Sequence, residues 1–148
     1  PFRAPAGFQQ ILDFGSFDVN GSVRATLPGY KVLGVDWREG PGVDVVSLAH
    51  EFIPPSGHHI ITSTEMLEHD PHWQKTVQHL WEILPAPGLL AMTWAGPLRA
   101  PHELSCSPRL DYYQGIPLMN VLLCLPELRW FGGEQDAEAN DCRLWVRK

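Results

Sequence analysis

Three short stretches of the sequence carry residue types that could bind a ligand or take part in catalysis. The first is the turn after Asp13, where Gly15 lets the backbone bend and approach a ligand closely. The second is Asp36, which closes the next apolar run and could accept both hydroxyls of a ribose. The third is 62–71, TSTEMLEHDP, where an apolar run leads into acidic side chains and His69. Together they are typical of a nucleotide-binding site.

Each of these features also has a purely structural explanation. A glycine after a strand is equally a tight turn, and an acid that closes a strand is equally a solvated cap. The acidic side chains of 62–71 are also favoured at the N-terminus of a helix by its dipole. The order and spacing of the three stretches favour the site, because ligands of doubly wound sheets bind beyond the C-terminal ends of the strands.

Five apolar runs bounded by turn residues predict the strands that would position these residues. The runs are continuous rather than alternating, which is typical of parallel strands that are covered on both faces. The predicted strands are 10–15, 31–36, 43–48, 58–63 and 88–94. The pattern therefore indicates an α/β fold with a mostly parallel sheet.

Two helices are predicted between these strands. In 70–84, apolar residues recur at helical spacing, Asp70 suits the N-cap and Pro71 suits the first helical position. A shorter helix is predicted within 20–29, with Asn20 as its cap. Both segments follow a predicted strand, as the helices of an α/β fold should.

Three regions depart from this alternation. Only about six residues separate Asp36 from Val43, fewer than a parallel crossover normally needs, so the third strand should be short or its crossover should lack a helix. Residues 95–127 have no clean period and are predicted to pass over the substrate side of the sheet. The tail, 128–148, looks like two strands around a polar turn and therefore like an antiparallel pair.

The composition limits the functional classes. A length of 148 residues is typical of a single domain, here 1–148, and a hydrophobic content of 44% is enough for a globular core. With 11 basic and 17 acidic residues the net charge is -6, so nucleic-acid binding is not expected. No apolar run approaches the ~20 residues that span a bilayer, so no membrane span is expected. Because the chain begins without Met and close to its first strand, we expect that an N-terminal segment has been trimmed.

The cysteines and histidines do not indicate a metal site. Three cysteines without C-x-x-C spacing predict reduced thiols in a cytoplasmic protein rather than disulfides or a zinc site. His58 and His59 begin a predicted strand and are expected to be solvated strand-end residues. The other histidines form no recognised zinc motif, so no metal is expected.

Four blocks of the sequence resemble successive motifs of the class I S-adenosylmethionine-dependent methyltransferases, of the broad "type 11" group. They are 11–22 (ILDFGSFDVNGS), 33–46 (LGVDWREGPGVDVV), 61–73 (ITSTEMLEHDPHW) and 80–94 (LWEILPAPGLLAMTW). The resemblance implies a compact Rossmann-like sheet of seven strands whose last two form an antiparallel hairpin. It also implies S-adenosylmethionine as the cofactor and a small or medium-sized molecule as the methyl acceptor.

The resemblance implies roles for individual residues at the cofactor. Asp13 and Gly15 would border its methionine part, with Phe17 in the loop that wraps it. Asp36 would take the ribose hydroxyls, and Trp37 could lie against the adenine.

Further positions complete this implied site. Ala49 and His50 match the usual position at the adenine edge, and the backbone of Thr64 would meet the amino-acid moiety. An acceptor hydroxyl would need a base, and His69 is the first candidate because imidazole titrates near ~6.5; a structural or substrate-orienting role is the alternative. His102, Tyr112 and Tyr113 are candidates for binding the acceptor, and core packing is the alternative for the tyrosines.

Departures from the family pattern keep two other functions open. Phe17 stands where the family usually has a second glycine, which favours a methyltransferase-like module that binds or assembles without catalysis. A nicotinamide-dependent oxidoreductase would also use Asp36 after a glycine turn, although G-x-G-x-x-G is broken here. Six tryptophans in so short a chain indicate apolar surface that a homo-oligomer could share.

Overall fold

A seven-stranded sheet forms the centre of the protein. The computed structural model describes residues 10–55, 57–101, 112–126 and 128–148. The strands are β1 (Gln10–Phe14), β2 (Lys31–Asp36), β3 (Val45–Val46), β4 (Ile60–Thr64), β5 (Leu89–Ala95), β6 (Trp130–Gln135) and β7 (Asp141–Arg147). Their order is β3-β2-β1-β4-β5-β7-β6; β1 to β5 pair in parallel, and β7 is antiparallel to both β5 and β6. The predicted α/β fold with a C-terminal hairpin is confirmed.

The third strand is as weak as the sequence indicated. β3 has two residues, which pair with Val35 and Asp36 of β2. The connection 37–44 contains no helix, and Asp44 ties it down by accepting the backbone N–H of Gly34 at 2.8 Å. This side of the sheet therefore ends in a short strand held by a side chain.

The helices are α1 (Val23–Thr26), α2 (Trp73–Ile83) and α3 (Leu118–Leu122), with a 3₁₀ turn at Leu67–His69. α1 begins two residues later than predicted, because Ser22 rather than Asn20 is its N-cap, and the Ser22 Oγ accepts the N–H of Ala25 at 3.3 Å. A short α3 was not predicted; it lies within 95–127.

The predicted start of α2 is wrong by two residues. Asp70 is the C-cap of the 3₁₀ turn, and His72 is the N-cap of α2 instead. Asp70 nevertheless stabilises the first turn, because its carboxylate accepts the N–H of His72 at 2.7 Å and the hydroxyl of Thr76 at 2.5 Å. The capping side chain was identified correctly, but it acts from outside the helix.

The core packs one face of the sheet against α2 and α3. Trp94 of β5 is fully buried, and its indole N–H donates to the carbonyl of Ile116 at 2.8 Å. Val77 and Leu80 of α2 are fully buried in the same cluster. Each such side chain contributes about 1.5–3 kcal/mol by leaving water.

The structure also describes His58, two of the three cysteines and the segments considered for membrane spans or metal sites. His58 is buried, with Nδ1 3.0 Å from the carbonyl oxygen of Pro55, so the expectation that it is solvated was wrong. Cys124 and Cys142 are free thiols, as predicted, and Cys106 lies outside the described residues. Within those residues no helix is both long and apolar enough to cross a bilayer. The same residues contain no group of three metal-binding side chains.

Candidate functional site

A cavity of about 700 Å³ lies at the C-terminal ends of β1, β2 and β4, where ligands bind in sheets of this type. Most of the predicted site residues line it: Asp13, Gly15, Phe17, Asp36, Trp37, Ala49, His50, Thr64, His69 and Tyr112. Tyr113 is not among its lining residues, and His102 lies outside the described residues. The volume suits a nucleotide-sized ligand.

Gly15 forms the turn that opens the cavity. Its φ of +76° lies in the left-handed region, which side chains disfavour. A Cβ at this position would also lie 2.5 Å from the Cβ of Met66, while the Gly15 N–H donates to the carbonyl of Val35 at 2.9 Å. Two independent constraints therefore require glycine here.

Asp13 places a buried carboxylate at the wall of the cavity. Burial raises the pKa of Asp13 to about 6, and the hydroxyl of Thr62, which donates to its Oδ1 at 2.7 Å, acts in the opposite direction. With this pKa the carboxylate is mostly ionised at neutral pH. It offers a negative charge to a cationic group of a ligand.

Asp36 is the last residue of β2, and its carboxylate retains hydrogen-bond acceptor capacity for a ligand. Oδ2 accepts the backbone N–H of Phe17 at 3.3 Å, and Oδ1 accepts that of Arg38 at 3.2 Å. Burial raises the pKa of Asp36, and these two backbone donors work against the rise. Two carboxylate oxygens offer about four lone-pair sites. The hydroxyls of a ribose can therefore be accepted as well.

The structure shows how a phenylalanine fits the loop after β1. The guanidinium carbon of Arg38 lies 3.9 Å from the centroid of the Phe17 ring. A Cβ at Gly40 would lie 1.9 Å from the ring's Cε2, so the ring occupies the space that this glycine leaves. Phe17 thus packs on the β2–β3 connection. Arg38 and Gly40 were not predicted, although a glycine soon after β2 was the available signal.

The side of the cavity assigned to the adenine is built from the ends of β2 and β3. Trp37 follows β2 and is 51% exposed, which leaves much of its ring available to a ligand. Ala49 and His50 follow β3 and line the same cavity. The rings of His50 and His72 pack edge to face, with centroids 4.9 Å apart. This wall combines aromatic surface with imidazole groups.

The opposite side of the cavity holds His69 and Tyr112. The His69 ring packs edge to face on Tyr113, with centroids 5.3 Å apart, so Tyr113 lies against the candidate base. The Tyr112 hydroxyl donates to Oε1 of Gln114 at 2.7 Å. Burial raises the pKa of Tyr112, and the negative charge of Asp70 has a smaller effect in the same direction. Tyr112 is therefore protonated at neutral pH, and its one O–H donates to Gln114.

An ionic cluster at this side was missed by the sequence reasoning. Arg99 donates through Nη1 to Glu65 at 2.7 Å and to Asp141 at 2.5 Å, and Thr93 donates to the other Glu65 oxygen at 2.9 Å. Glu65 and Arg99 line the cavity, and Glu65 has a φ of +51°. No sequence signal connects Arg99 with Asp141, because only the β5–β7 pairing brings them together.

Glu68 is a second missed feature, next to His69 in the chain. Its side chain is fully buried, and neither carboxylate oxygen has a hydrogen-bond partner among the described residues. Burial raises the pKa of Glu68 to about 7. The sequence marked Glu68 only as an acid near a helix start and carried no sign of this burial.

Comparison with known proteins identifies the fold. No family model and no curated protein sequence matches the chain. A methyltransferase dependent on S-adenosylmethionine from Archaeoglobus fulgidus matches with a TM-score of 0.70 and 14% identity, over 97% of this chain and 89% of its own. The N-methyltransferase NodS from Bradyrhizobium japonicum, solved with S-adenosylhomocysteine, matches with a TM-score of 0.64 and 15% identity, over 95% and 78%.

A third solved structure is longer than this chain. Phosphoethanolamine N-methyltransferase 2 from Haemonchus contortus, solved with S-adenosyl-L-methionine, has a TM-score of 0.63 and 17% identity. The match covers 86% of this chain but 34% of that protein, so the chain spans about a third of its length. At these identities the likeness shows the fold. The chain has the fold of the class I S-adenosylmethionine-dependent methyltransferases.

Proposed function

We propose that the protein is a methyltransferase that binds S-adenosylmethionine in the cavity and transfers its methyl group to a small or medium-sized acceptor. One observation carries the proposal. The Gly15 turn, the Asp13 carboxylate and the Asp36 carboxylate lie on two neighbouring parallel strands and line a single cavity. The fold is also that of proteins solved with S-adenosylmethionine or S-adenosylhomocysteine.

The residues present fit this cofactor. Asp36 has unused acceptor capacity for the ribose hydroxyls, and Trp37 offers exposed aromatic surface to the adenine. The negative charge of Asp13 suits the ammonium of the methionine part, which the Gly15 turn and the backbone of Thr64 would border. When bound, the cofactor supplies an electrophilic methyl group on sulfonium.

In this proposal the protein acts mainly by positioning. Ala49 and His50 close the adenine side, and His69 and Tyr112 lie on the other side, where the acceptor would bind. Holding two reactants in line at near-contact distance supplies much of the rate of such a displacement. A ring nitrogen of His69 takes the proton of an acceptor that has one to lose, and Tyr113 holds the imidazole in place.

Calorimetric titration with S-adenosylmethionine and with NAD tests the cofactor. We expect the wild-type protein to bind the first and not the second. Asp36→Asn should weaken binding by about tenfold or more, because it removes the charged ribose acceptor, a hydrogen bond worth about 1.5–3 kcal/mol. Glu39→Gln is the matched control, since this exposed acid lies in the same connection and does not line the cavity. Equal affinity in both variants would refute the assignment of Asp36.

A module that binds the cofactor without catalysis is the second candidate. The two-residue β3 and the helix-free connection 37–44 favour it, because they leave little structure around the adenine side. A turnover assay of the wild-type protein against oxygen, nitrogen and carbon acceptors separates the two. Methyl transfer to any of them supports the enzyme, and binding without turnover supports the module.

A further inference from the structure

The outer edge of β6 is a feature that the proposed function leaves unexplained. β6 ends the sheet, and among the described residues no strand pairs with its outer side. Trp130 and Phe131 are 50% and 49% exposed there. Edge strands of monomeric proteins are normally protected by charges, proline or bulges. Glu134 is the one charged residue of β6, and it is already paired with Arg143 at 2.5 Å.

The backbone groups that point away from β7 can be identified. The N–H of Asp136 donates to the carbonyl of Asp141 at 2.8 Å, in continuation of the β6–β7 register. Because hydrogen-bonded positions alternate along an antiparallel pair, every second residue from Asp136 backwards bonds to β7. The residues between them, whose N–H and C=O groups point outwards, are Phe131, Gly133 and Gln135.

We propose that two copies of the chain form a dimer by pairing β6 with β6 in antiparallel orientation, with Gly132 at the two-fold axis. In this register Phe131 faces Gly133 of the partner subunit, and both positions direct their backbone groups outwards. Each of the two symmetry-related pairs exchanges two hydrogen bonds, which gives about four backbone hydrogen bonds in all. The two sheets then form one continuous sheet with no open β6 edge.

The side chains on the core-facing side of β6 are self-complementary in this register. Gly133 has no side chain, and a Cβ there would lie 3.5 Å from Leu118 Cδ1 and 3.3 Å from Leu144 Cδ1. The Phe131 ring of one copy can therefore lie over Gly133 of the partner subunit and against its apolar neighbours. This contact removes a half-exposed phenylalanine from water on each side of the dimer.

The charges on the other side of β6 are also complementary between two copies in this register. This favours a second copy of the chain as the partner that pairs with the β6 edge. Trp130 would face Glu134 of the partner subunit. The guanidinium carbon of Arg147 lies 4.7 Å from the centroid of the Trp130 ring and so comes near that carboxylate. Each Glu134 is then flanked by Arg143 of its own chain and by Arg147 of the partner subunit. Opposite charges on neighbouring strands stabilise a sheet.

Sedimentation equilibrium on the whole chain tests the dimer. We expect a species of twice the chain's 16.6 kDa, in equilibrium with the monomer. Phe131→Lys should raise the dissociation constant by about tenfold or more, because it removes the apolar contact and brings two like charges to the interface. Ile53→Lys is the matched control, since Ile53 is 82% exposed and lies outside β6, and it should leave the constant unchanged.

A second variant tests the backbone pairing. Phe131→Pro removes an outward N–H that β7 does not use, so it should also weaken the dimer while thermal unfolding shows a folded chain. A wild-type chain that is monomeric at its highest workable concentration would overturn the proposal. So would a dimer whose dissociation constant is unchanged in both Phe131 variants. None of these measurements involves the cofactor, so the result is independent of the proposed function.

Discussion

Asp13 and Asp36 show how two carboxylates of one cavity are held differently. Both are buried, and burial raises the pKa of each. A side-chain hydroxyl donates to Asp13, whereas two backbone N–H groups donate to Asp36. Backbone donors hold a carboxylate in a fixed orientation, because they belong to the turn itself. Asp36 is therefore the better oriented of the two for accepting hydroxyls.

His69 is the residue whose proposed role most needs a kinetic test. His69→Ala should lower kcat on an acceptor hydroxyl by on the order of a hundredfold, the usual contribution of a general base. Affinity for S-adenosylmethionine, measured by calorimetry, should stay near the wild-type value. His79→Ala is the control, because His79 bonds the carbonyl of Phe52 and does not line the cavity. Full activity of His69→Ala across the pH range would leave His69 with a structural role.

At the scale of elements, side-chain contacts hold the β2–β3 connection in place, although it contains no crossover helix. Asp44 ties it to β2, and the Phe17 ring fills the space over Gly40 while contacting Arg38. The loop after β1 and the connection after β2 therefore support each other directly. A glycine at the position of Phe17 could not make this contact.

Gly40→Ala tests this mutual support. The new methyl group would collide with the Phe17 ring, so the variant should lose about 1–3 kcal/mol of unfolding free energy and bind S-adenosylmethionine more weakly. Urea denaturation and calorimetry measure the two effects. Gly29→Ala is the control, because a Cβ at Gly29 would meet no atom within 4 Å. If both variants behave alike, the Phe17–Gly40 contact does not support the loop.

At the scale of the whole molecule, a buried acid sets part of the pH dependence of stability. Glu68 has a pKa of about 7 in the folded chain against 4.5 for an exposed glutamate. As the pH rises, the Glu68 carboxyl group loses its proton first in the unfolded chain. The contribution of Glu68 to the free energy of unfolding therefore falls between about pH 4.5 and pH 7. The folded protein is destabilised in alkaline solution by an ionised group that is fully buried.

Glu68→Gln should remove this dependence. The difference in unfolding free energy between the variant and the wild type should shift in favour of the variant by about 3 kcal/mol from pH 4 to pH 8, at about 1.4 kcal/mol for each unit of pKa. Urea denaturation at several pH values measures it. Glu82→Gln, at an exposed position of α2, should show no such shift. Parallel curves for wild type and Glu68→Gln would contradict the burial of a titrating carboxyl group.

Much of the architecture and part of the site follow from the sequence alone. Continuous apolar runs locate β1, β2, β4 and β5, because parallel strands covered on both faces need them. The acid that closes β2 and the glycine that follows β1 are local features of the chain, so they could be assigned to one cavity from their order. The hairpin of β6 and β7 is equally local, since a polar turn joins its strands.

Only the tertiary structure decided the features that depend on distant parts of the chain. Arg99 bonds Asp141 because β5 pairs with β7, and no pattern along the chain predicts that pairing. Glu68 is an acid in a polar stretch of the sequence, so neither its burial nor its raised pKa was foreseen. The start of α2 also lies two residues later than predicted, because Asp70 is the C-cap of the preceding 3₁₀ turn. Strands, turns and strand-end acids can be predicted from neighbouring residues, whereas burial and ion pairing arise only when distant segments of the chain come into contact.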